Sequence, residues 1–174
     1  MALKKIITIP DPILRKKSLP VKGVNKEIKE LLKDMLETMY EAPGIGLAAI
    51  QIGIPKRLVV MDLSKDPNKK EPMFFVNPEI VAKSETMVTY EEGCLSIPNQ
   101  FAKIARPNSC KVKFLDFDGI EKELRADGLF STCIQHDVDH LNGVLFIDHL
   151  SKLKKDIIIK KVSKQKKNQE RIVV

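Results

Sequence analysis

Cysteine is scarce in this sequence, with three residues in a chain of 174. So few cysteines, and an odd number of them, do not form a disulfide framework, which leaves them available for packing, reactivity or metal binding. Runs of hydrophobic residues are short, which argues against a membrane span. Residues 1–17 also lack the apolar segment and the cleavage pattern of a secretory signal. We therefore expect a cytoplasmic protein.

The length and the overall composition predict one folded domain. Hydrophobic residues make up 43% of the chain and charged residues 30%, which is ordinary globular usage. A chain of this size buries enough surface to form a real core. We assign residues 1–168 to a single domain and residues 169–174 to a flexible tail end.

The net charge of +7 lies at one end of the chain. Residues 1–150 contain 21 basic and 21 acidic residues, whereas residues 151–174 contain nine basic and two acidic ones. A solvated surface explains such a segment, and so does an electrostatic contact with a polyanion.

Hydrophobic periodicity predicts an α+β protein. Residues 25–42 have the apolar spacing of a helix that Asn25 caps, and residues 118–119 (DG) mark a hairpin turn between two strands. We expect a second helix at 129–141, and a third at 152–166 that buries Leu153, Ile157 and Val162. The predicted strands are residues 57–62, 73–76, 86–91, 111–117 and 120–125.

His136 and His140 are two of the three histidines in the chain, and they are four residues apart in the second predicted helix. Residues with this spacing lie on one helix face, so both imidazoles can reach one metal ion. The alternative is a polar helix edge without a metal. The acidic residues beside the pair favour a metal site. His149 has no second histidine at this spacing, and we expect it to have a structural role.

A metal site with two histidines needs a third ligand. Cys133 precedes His140 by seven residues, about 10 Å along a helix, which is too far for one ion. We expect Cys133 to line the same pocket and Cys110 to pack in the core. Cys94 lies in a segment bounded by glycine and proline, where the backbone can approach a ligand closely.

Three separated segments resemble the signature motifs of the peptide deformylase family, in the family's order. They are residues 44–51 (GIGLAAIQ), 92–96 (EGCLS) and 135–141 (QHDVDHL). Residues 9–15 and 125–128 are similar as well, so the resemblance covers residues 3–165. The first motif taken alone matches a dinucleotide-binding fingerprint, but it follows a predicted helix and not a strand.

The resemblance implies a metal-dependent amidase that removes the formyl group from the N-terminal formyl-methionine of new proteins. It implies that Cys94, His136 and His140 bind one divalent metal ion, with water in the fourth position. The family typically uses Fe²⁺, although a thiolate and two imidazoles would also accept Zn²⁺, Ni²⁺ or Co²⁺. The backbone N–H of Leu95 and the side-chain amide of Gln51 would stabilise the developing oxyanion.

The resemblance also implies a fold and a substrate pocket. The expected fold has small mixed or antiparallel sheets around a central metal-binding helix, followed by a C-terminal helix. The residues that match substrate-contacting positions are Ile45, Gly46, Tyr90, Leu129 and Cys133. From the residues alone, ordinary core packing explains the larger of these side chains equally well.

The sequence departs from the family at two positions. Asp137 occupies the place of the family's general acid and base, which is normally Glu. Its carboxylate would fall about 1.5 Å short on an unchanged backbone, and displacements of about 1 Å can cost on the order of 10²-fold in rate. Asp139 points about 200° further around the helix and is expected to orient a neighbour such as Arg106. The second departure is Phe101, where bacterial relatives often have Arg.

Three functions are therefore open. The first is a working deformylase, and the second is an impaired relative that binds a metal and formylated peptides. The third is an interaction module with a structural metal, which four protein ligands would normally hold. In some bacterial relatives the C-terminal helix contacts the ribosome, and the basic segment after Leu150 suits that role through sequence-independent phosphate contacts. No membrane partner and no specific DNA partner is expected.

Overall fold

The computed structural model describes the backbone of residues 2–172 and the side chains of residues 2–167. Within this part of the chain there are three α-helices and seven β-strands. The helices are α1 (Lys26–Glu41), α2 (Leu129–Leu141) and α3 (Lys152–Ile172). The strands are β1 (Gly46–Ala48), β2 (Leu58–Met61), β3 (Met73–Lys83), β4 (Met87–Cys94), β5 (Ile97–Pro107), β6 (Ser109–Leu115) and β7 (Glu121–Asp127).

Five strands form one antiparallel sheet in the order β1-β2-β3-β6-β7, and β4 pairs with β5 in a separate antiparallel hairpin. Alternate residues of β2 point to opposite faces of the five-stranded sheet. Leu58 and Val60 pack with the apolar side of α1, whereas Val59 and Met61 pack with α2. The sheet is therefore covered on both faces, and this explains why β2 is apolar without interruption. The predicted α+β class is confirmed.

The first two helices match their predictions closely. The side chain of Asn25 accepts a hydrogen bond of 2.9 Å from the backbone N–H of Ile28 and so caps α1. The predicted apolar stripe of α1 is buried against the sheet. The α2 helix has the predicted limits, and Gly143 follows it with a φ of 76°, a conformation that favours glycine.

The strands differ from the prediction where the sequence does not show the regular alternation of apolar and polar residues that is typical of a strand. The β3 strand continues seven residues past the predicted end at Val76, because register shifts let it pass Asn77 (φ 52°) and Pro78. The β5 strand is not predicted at all, since it contains two prolines and Asn99 at a φ of 63°. The three-residue β1 is too short and too rich in glycine to give a strand signal.

The buried face predicted for α3 is partly wrong. Val162 is buried as expected, but Leu153 is 72% exposed and Ile157 is exposed as well. The face that packs on the body contains Ile158 instead, one turn before Val162, together with the half-buried Ile159.

The α3 helix also continues to Ile172, past the predicted end. The predicted tail end, residues 169–174, begins within this helix, and its side chains and residues 173–174 lie outside the described part of the structure. Among the residues that are described, no helix combines the length and the apolar character that a membrane crossing requires.

Candidate metal and active site

Cys94, His136 and His140 come together although they belong to two different elements. Cys94 lies at the bulged end of the β4–β5 hairpin, and both histidines lie on one face of α2. The Nε2 of His140 is 3.3 Å from the Sγ of Cys94 and 3.2 Å from the Nε2 of His136. The three potential ligand atoms all lie within 4.8 Å of one another. This spacing is compatible with three ligands of a single ion.

The chemistry of these donors also fits a divalent metal ion. Burial alone raises the pKa of the Cys94 thiol, but the adjacent His140 and His136 outweigh this effect and lower the pKa to about 5. Thiolate is the form of cysteine that binds metals. The buried Nδ1 of His140 has no hydrogen-bond partner among the described residues. The short distances from Nε2 of His140 to Cys94 and His136 show that Nε2 is the nitrogen that faces the cluster.

A buried ion-pair network contacts His136 at Nδ1, the ring nitrogen that does not face the cluster. The Nδ1 of His136 lies 2.9 Å from Oε1 of Glu92, and because a carboxylate only accepts, the imidazole N–H donates. Glu92 also accepts two hydrogen bonds from Arg106, of 2.7 and 3.1 Å. Burial raises the pKa of Glu92, but the His136 and Arg106 contacts outweigh it and lower the pKa. The hydrogen bond from His136 to Glu92 fixes the imidazole ring so that its Nε2 faces the cluster.

The same network extends to Asp139. A further guanidinium nitrogen of Arg106, Nη1, donates to Oδ2 of Asp139 at 2.9 Å, and the Nε2 of His149 is 3.0 Å from the same oxygen. Sequence reasoning names Asp139 and Arg106 but misses Glu92, which connects them to His136. Its position two residues before Cys94 is a signal that could have identified it.

Asp137 lies on the cleft side of α2, and its side chain is only 4% exposed. Burial raises the pKa of its carboxyl group to about 6, against the lowering effect of charges on His136 and His140. The carboxylate lies directly against the backbone of Gly46, so that a Cβ atom on Gly46 would overlap its Oδ2. Residue 46 must therefore remain a glycine for Asp137 to keep this position.

We expect Gly46→Ala to lower kcat by about 10²-fold, because the new methyl group pushes the carboxylate of Asp137 away and displacements near 1 Å cost that much. The amidase activity that the sequence resemblance implies, followed as formate release from a formylated peptide by the metal-loaded protein, measures this effect. Gly23→Ala is the matched control, since no atom of the described residues, apart from the glycine and its chain neighbours, lies within 4 Å of the added methyl group there. Equal rates for both variants would show that the Asp137 carboxylate does not depend on this contact.

Gln51 is buried next to the cluster, in the 3-10 turn that follows β1. Its Oε1 accepts from the backbone N–H of Ala48 at 3.0 Å, so its Nε2 is the end that faces the site. That nitrogen donates to Oγ of Ser96 at 3.1 Å and lies 3.5 Å from Sγ of Cys94. Leu95 lines the same cleft, with its side chain packed on Gly44. A side-chain amide donor is thus held rigidly beside the sulfur.

The cluster opens into a cleft of about 590 Å³. Ten of the thirteen site residues predicted from the sequence line it: Ile45, Gly46, Gln51, Tyr90, Cys94, Leu95, Leu129, Cys133, His136 and Asp137. Ile45 is 47% exposed and Leu129 is exposed as well, which excludes ordinary core packing for these two side chains. Tyr90 and Cys133 are half-buried, and burial raises the pKa of the Cys133 thiol to about 12, so it is neutral.

His140, Arg106 and Asp139 lie outside the cleft lining. Phe101 does line it, at the mouth, where its side chain is 65% exposed.

The chain is similar to a large group of known proteins. The family model described as polypeptide deformylase matches residues 3–156. A peptide deformylase of Pelagibacter ubique is 60% identical over 174 residues, which is 100% of each chain. One of Rhizobium meliloti is 53% identical and covers 96% of each chain. The crystal structure of a peptide deformylase from Legionella pneumophila has a TM-score of 0.91 at 44% identity, covering 98% of this chain and 99% of that one.

Proposed function

The chain belongs to the polypeptide deformylase family, whose members remove the formyl group from an N-terminal methionine, and we propose that the cleft beside Cys94, His136 and His140 is where it does so. The main support for this proposal is that three potential metal-donor atoms, within 4.8 Å of one another, lie beside this cleft. The family is metal-dependent, and Cys94, His136 and His140 form a group able to hold a metal ion.

These three residues would hold one divalent ion, and we propose Fe²⁺ as the native one. The donor set, one thiolate and two imidazoles, would also accept Zn²⁺, Ni²⁺ or Co²⁺. Three protein ligands are the number found at catalytic sites, where a position stays open, whereas structural sites use four. When bound, such an ion supplies Lewis acidity for polarising a carbonyl and for activating water.

The surrounding side chains would supply the other groups that amide hydrolysis needs, namely oxyanion donors and a general base that later acts as an acid. The Nε2 of Gln51, 3.5 Å from Sγ of Cys94, would donate to the formyl oxygen as negative charge develops there, and the backbone N–H of Leu95 is the second proposed donor. The carboxylate of Asp137 is the proposed general base and then acid, which takes a proton from water and delivers it to the departing amine. The ion pairs of Glu92, Arg106 and Asp139 keep His136 oriented.

The cleft is also suited to an extended peptide. The β4 strand pairs with β5 along one edge, and within the described residues its other edge has no partner strand. Residues Tyr90–Cys94 of this strand line the cleft. A peptide can add to such an edge through backbone hydrogen bonds, which hold it irrespective of its sequence. The exposed Ile45 and Leu129 and the neutral Cys133 would then contact the methionine side chain, together with Gly46 and Tyr90.

Formate release from a formyl-methionyl dipeptide by metal-loaded protein tests the proposal directly. We expect turnover that depends on the ion, and we expect Asp137→Glu to raise kcat if the shorter side chain limits proton transfer. An equal or lower rate in Asp137→Glu would show that the backbone already places the Asp137 carboxylate within reach. Binding of the peptide without any formate release would instead identify an impaired relative, a function that the comparisons do not favour.

We further propose that the protein acts in the cytoplasm on nascent chains, and that its single domain, residues 1–168, docks on the ribosome through α3. Ile158 and Val162 fix one side of this helix to the body. The exposed lysines of its described part are Lys152, Lys154, Lys160, Lys161, Lys164, Lys166 and Lys167. Such a basic surface suits phosphate contacts that do not depend on sequence.

Replacing Lys160, Lys161 and Lys164 together with Gln tests the docking proposal without removing the buried Val162. We expect weaker sedimentation with ribosomes and a shallower salt dependence, by up to about one unit of slope per lost phosphate contact, with unchanged activity on a dipeptide. The control replaces the exposed Lys16, Lys17 and Lys22 in the same way. If both triple variants sediment like the unmodified protein at low salt, the basic helix serves solvation only.

A further inference from the structure

Phe101 is a large apolar side chain at the cleft to which the proposed mechanism gives no role. It lies in β5 and lines the mouth of the cleft, with 65% of its surface exposed. Burying a phenylalanine side chain lowers the free energy because apolar surface is removed from water. Most of the Phe101 surface is still exposed, so most of this stabilisation is absent in the protein alone. A peptide in the cleft could supply the missing contact.

The ring of Phe101 is nevertheless held in place on one side. A Cβ atom built on Gly93 would lie 2.6 Å from Cε1 of this ring and 2.7 Å from Cδ1. The ring therefore occupies the space that any side chain at position 93 would need, directly beside Cys94. One surface of the ring is supported by the backbone of β4, and its remaining surface is free to contact a bound molecule.

Exposed apolar side chains share the cleft with this ring. Ile45 and Leu129 are exposed at the same cleft. Glu91 is the exposed acidic residue of the lining, and the exposed Lys103 lies opposite it in the strand register of β4 and β5. Among the described lining residues of the cleft there is no lysine or arginine. An acidic side chain of a ligand therefore finds neither of these basic residues in the described lining, whereas an apolar side chain finds Ile45 and Leu129 exposed at the same cleft.

We propose that Phe101 is a specificity-determining residue, whose exposed ring packs against apolar side chains at the two positions that follow the methionine of the substrate. This inference rests on the proposed function, because a peptide that lies along the free edge of β4 with its methionine in the cleft continues toward the mouth. An apolar side chain placed on the ring buries surface of both partners, whereas a charged side chain in the same place loses hydration and gains no hydrogen bond from the ring.

The experiment compares kcat/KM for formyl-Met tripeptides that carry Leu, Ser, Asp or Lys at the second or at the third position. With the metal-loaded protein we expect Leu to be preferred over Asp and over Lys by about five- to tenfold, the effect of partly burying one such side chain. Phe101→Ser should lower this ratio to near one. Phe101→Leu should keep it, and Phe101→Arg should shift the preference toward Asp.

Ile120→Ser is the matched control, because Ile120 is 58% exposed and lies at the β6–β7 turn, outside the cleft lining. It should leave the preference unchanged. The inference is overturned if the unmodified protein hydrolyses all peptides with equal kcat/KM, or if Phe101→Ser keeps the preference. Absence of turnover with every peptide would be a different result, since it would overturn the proposed function and this inference together.

Discussion

Replacing Asp137 with Ala is expected to lower kcat for formate release by about 10²–10⁴-fold, the usual contribution of a positioned general acid or base. The metal content of the variant should not change, because Asp137 does not belong to the Cys94, His136 and His140 cluster. Its carboxylate instead lies against Gly46 on the cleft side of α2. Parallel measurements of formate release and of bound metal after dialysis separate the two effects.

Two further variants make this experiment specific. Asp137→Asn keeps the shape of the buried side chain but cannot accept a proton as a carboxylate does, so it should lose as much activity as Asp137→Ala. Asp156→Ala removes an exposed acid of α3 and should have no effect. Near-normal turnover in Asp137→Asn would mean that another group moves the proton, and the assignment of Asp137 would be wrong.

The helices were predictable from the sequence because their signals are local. In α1, the cap at Asn25 and the apolar spacing both follow from residues within the helix itself. The buried side of α3 could not be predicted in this way. Leu153, Ile157 and Ile158 are chemically alike, and contacts with β5 and with residues 145–147 decide which of them is covered. The β5 strand escaped prediction for a related reason, since its pairing with β4 overrides the unfavourable local signal of its prolines.

For the candidate site, the sequence allowed most of the participating residues to be named, but few of the contacts between them to be derived. His136 and His140 are related by helix geometry alone, so their proximity could be derived. Cys94 is more than 40 residues away in the chain and was identified only through the family resemblance. The position of Glu92 beside Cys94 marks the residue but not its partners. Its contacts with His136 and Arg106 join β4, β5 and α2 through side chains that meet only in the folded protein.

Replacing Cys94 with Ala is expected to remove the metal and the activity together. The thiolate is one of three donors, and its removal leaves two imidazoles four residues apart on one helix. Even the loss of a supporting contact to a metal ligand costs about 10–100-fold in affinity, so the loss of a ligand itself should cost more than about 100-fold. Metal content after dialysis, measured by atomic spectroscopy, checks this expectation alongside formate release.

Cys133→Ala provides the matched control for the loss of a thiol near α2. Cys133 lines the same cleft, but burial and the nearby Asp137 and Glu92 raise the pKa of its thiol to about 12, so it is a poor donor for an ion. It also lies outside the donor cluster, and Cys133→Ala should therefore keep its metal. Full metal occupancy in Cys94→Ala would show that the ion is held by other residues, and then the mechanism proposed around Cys94 could not be correct.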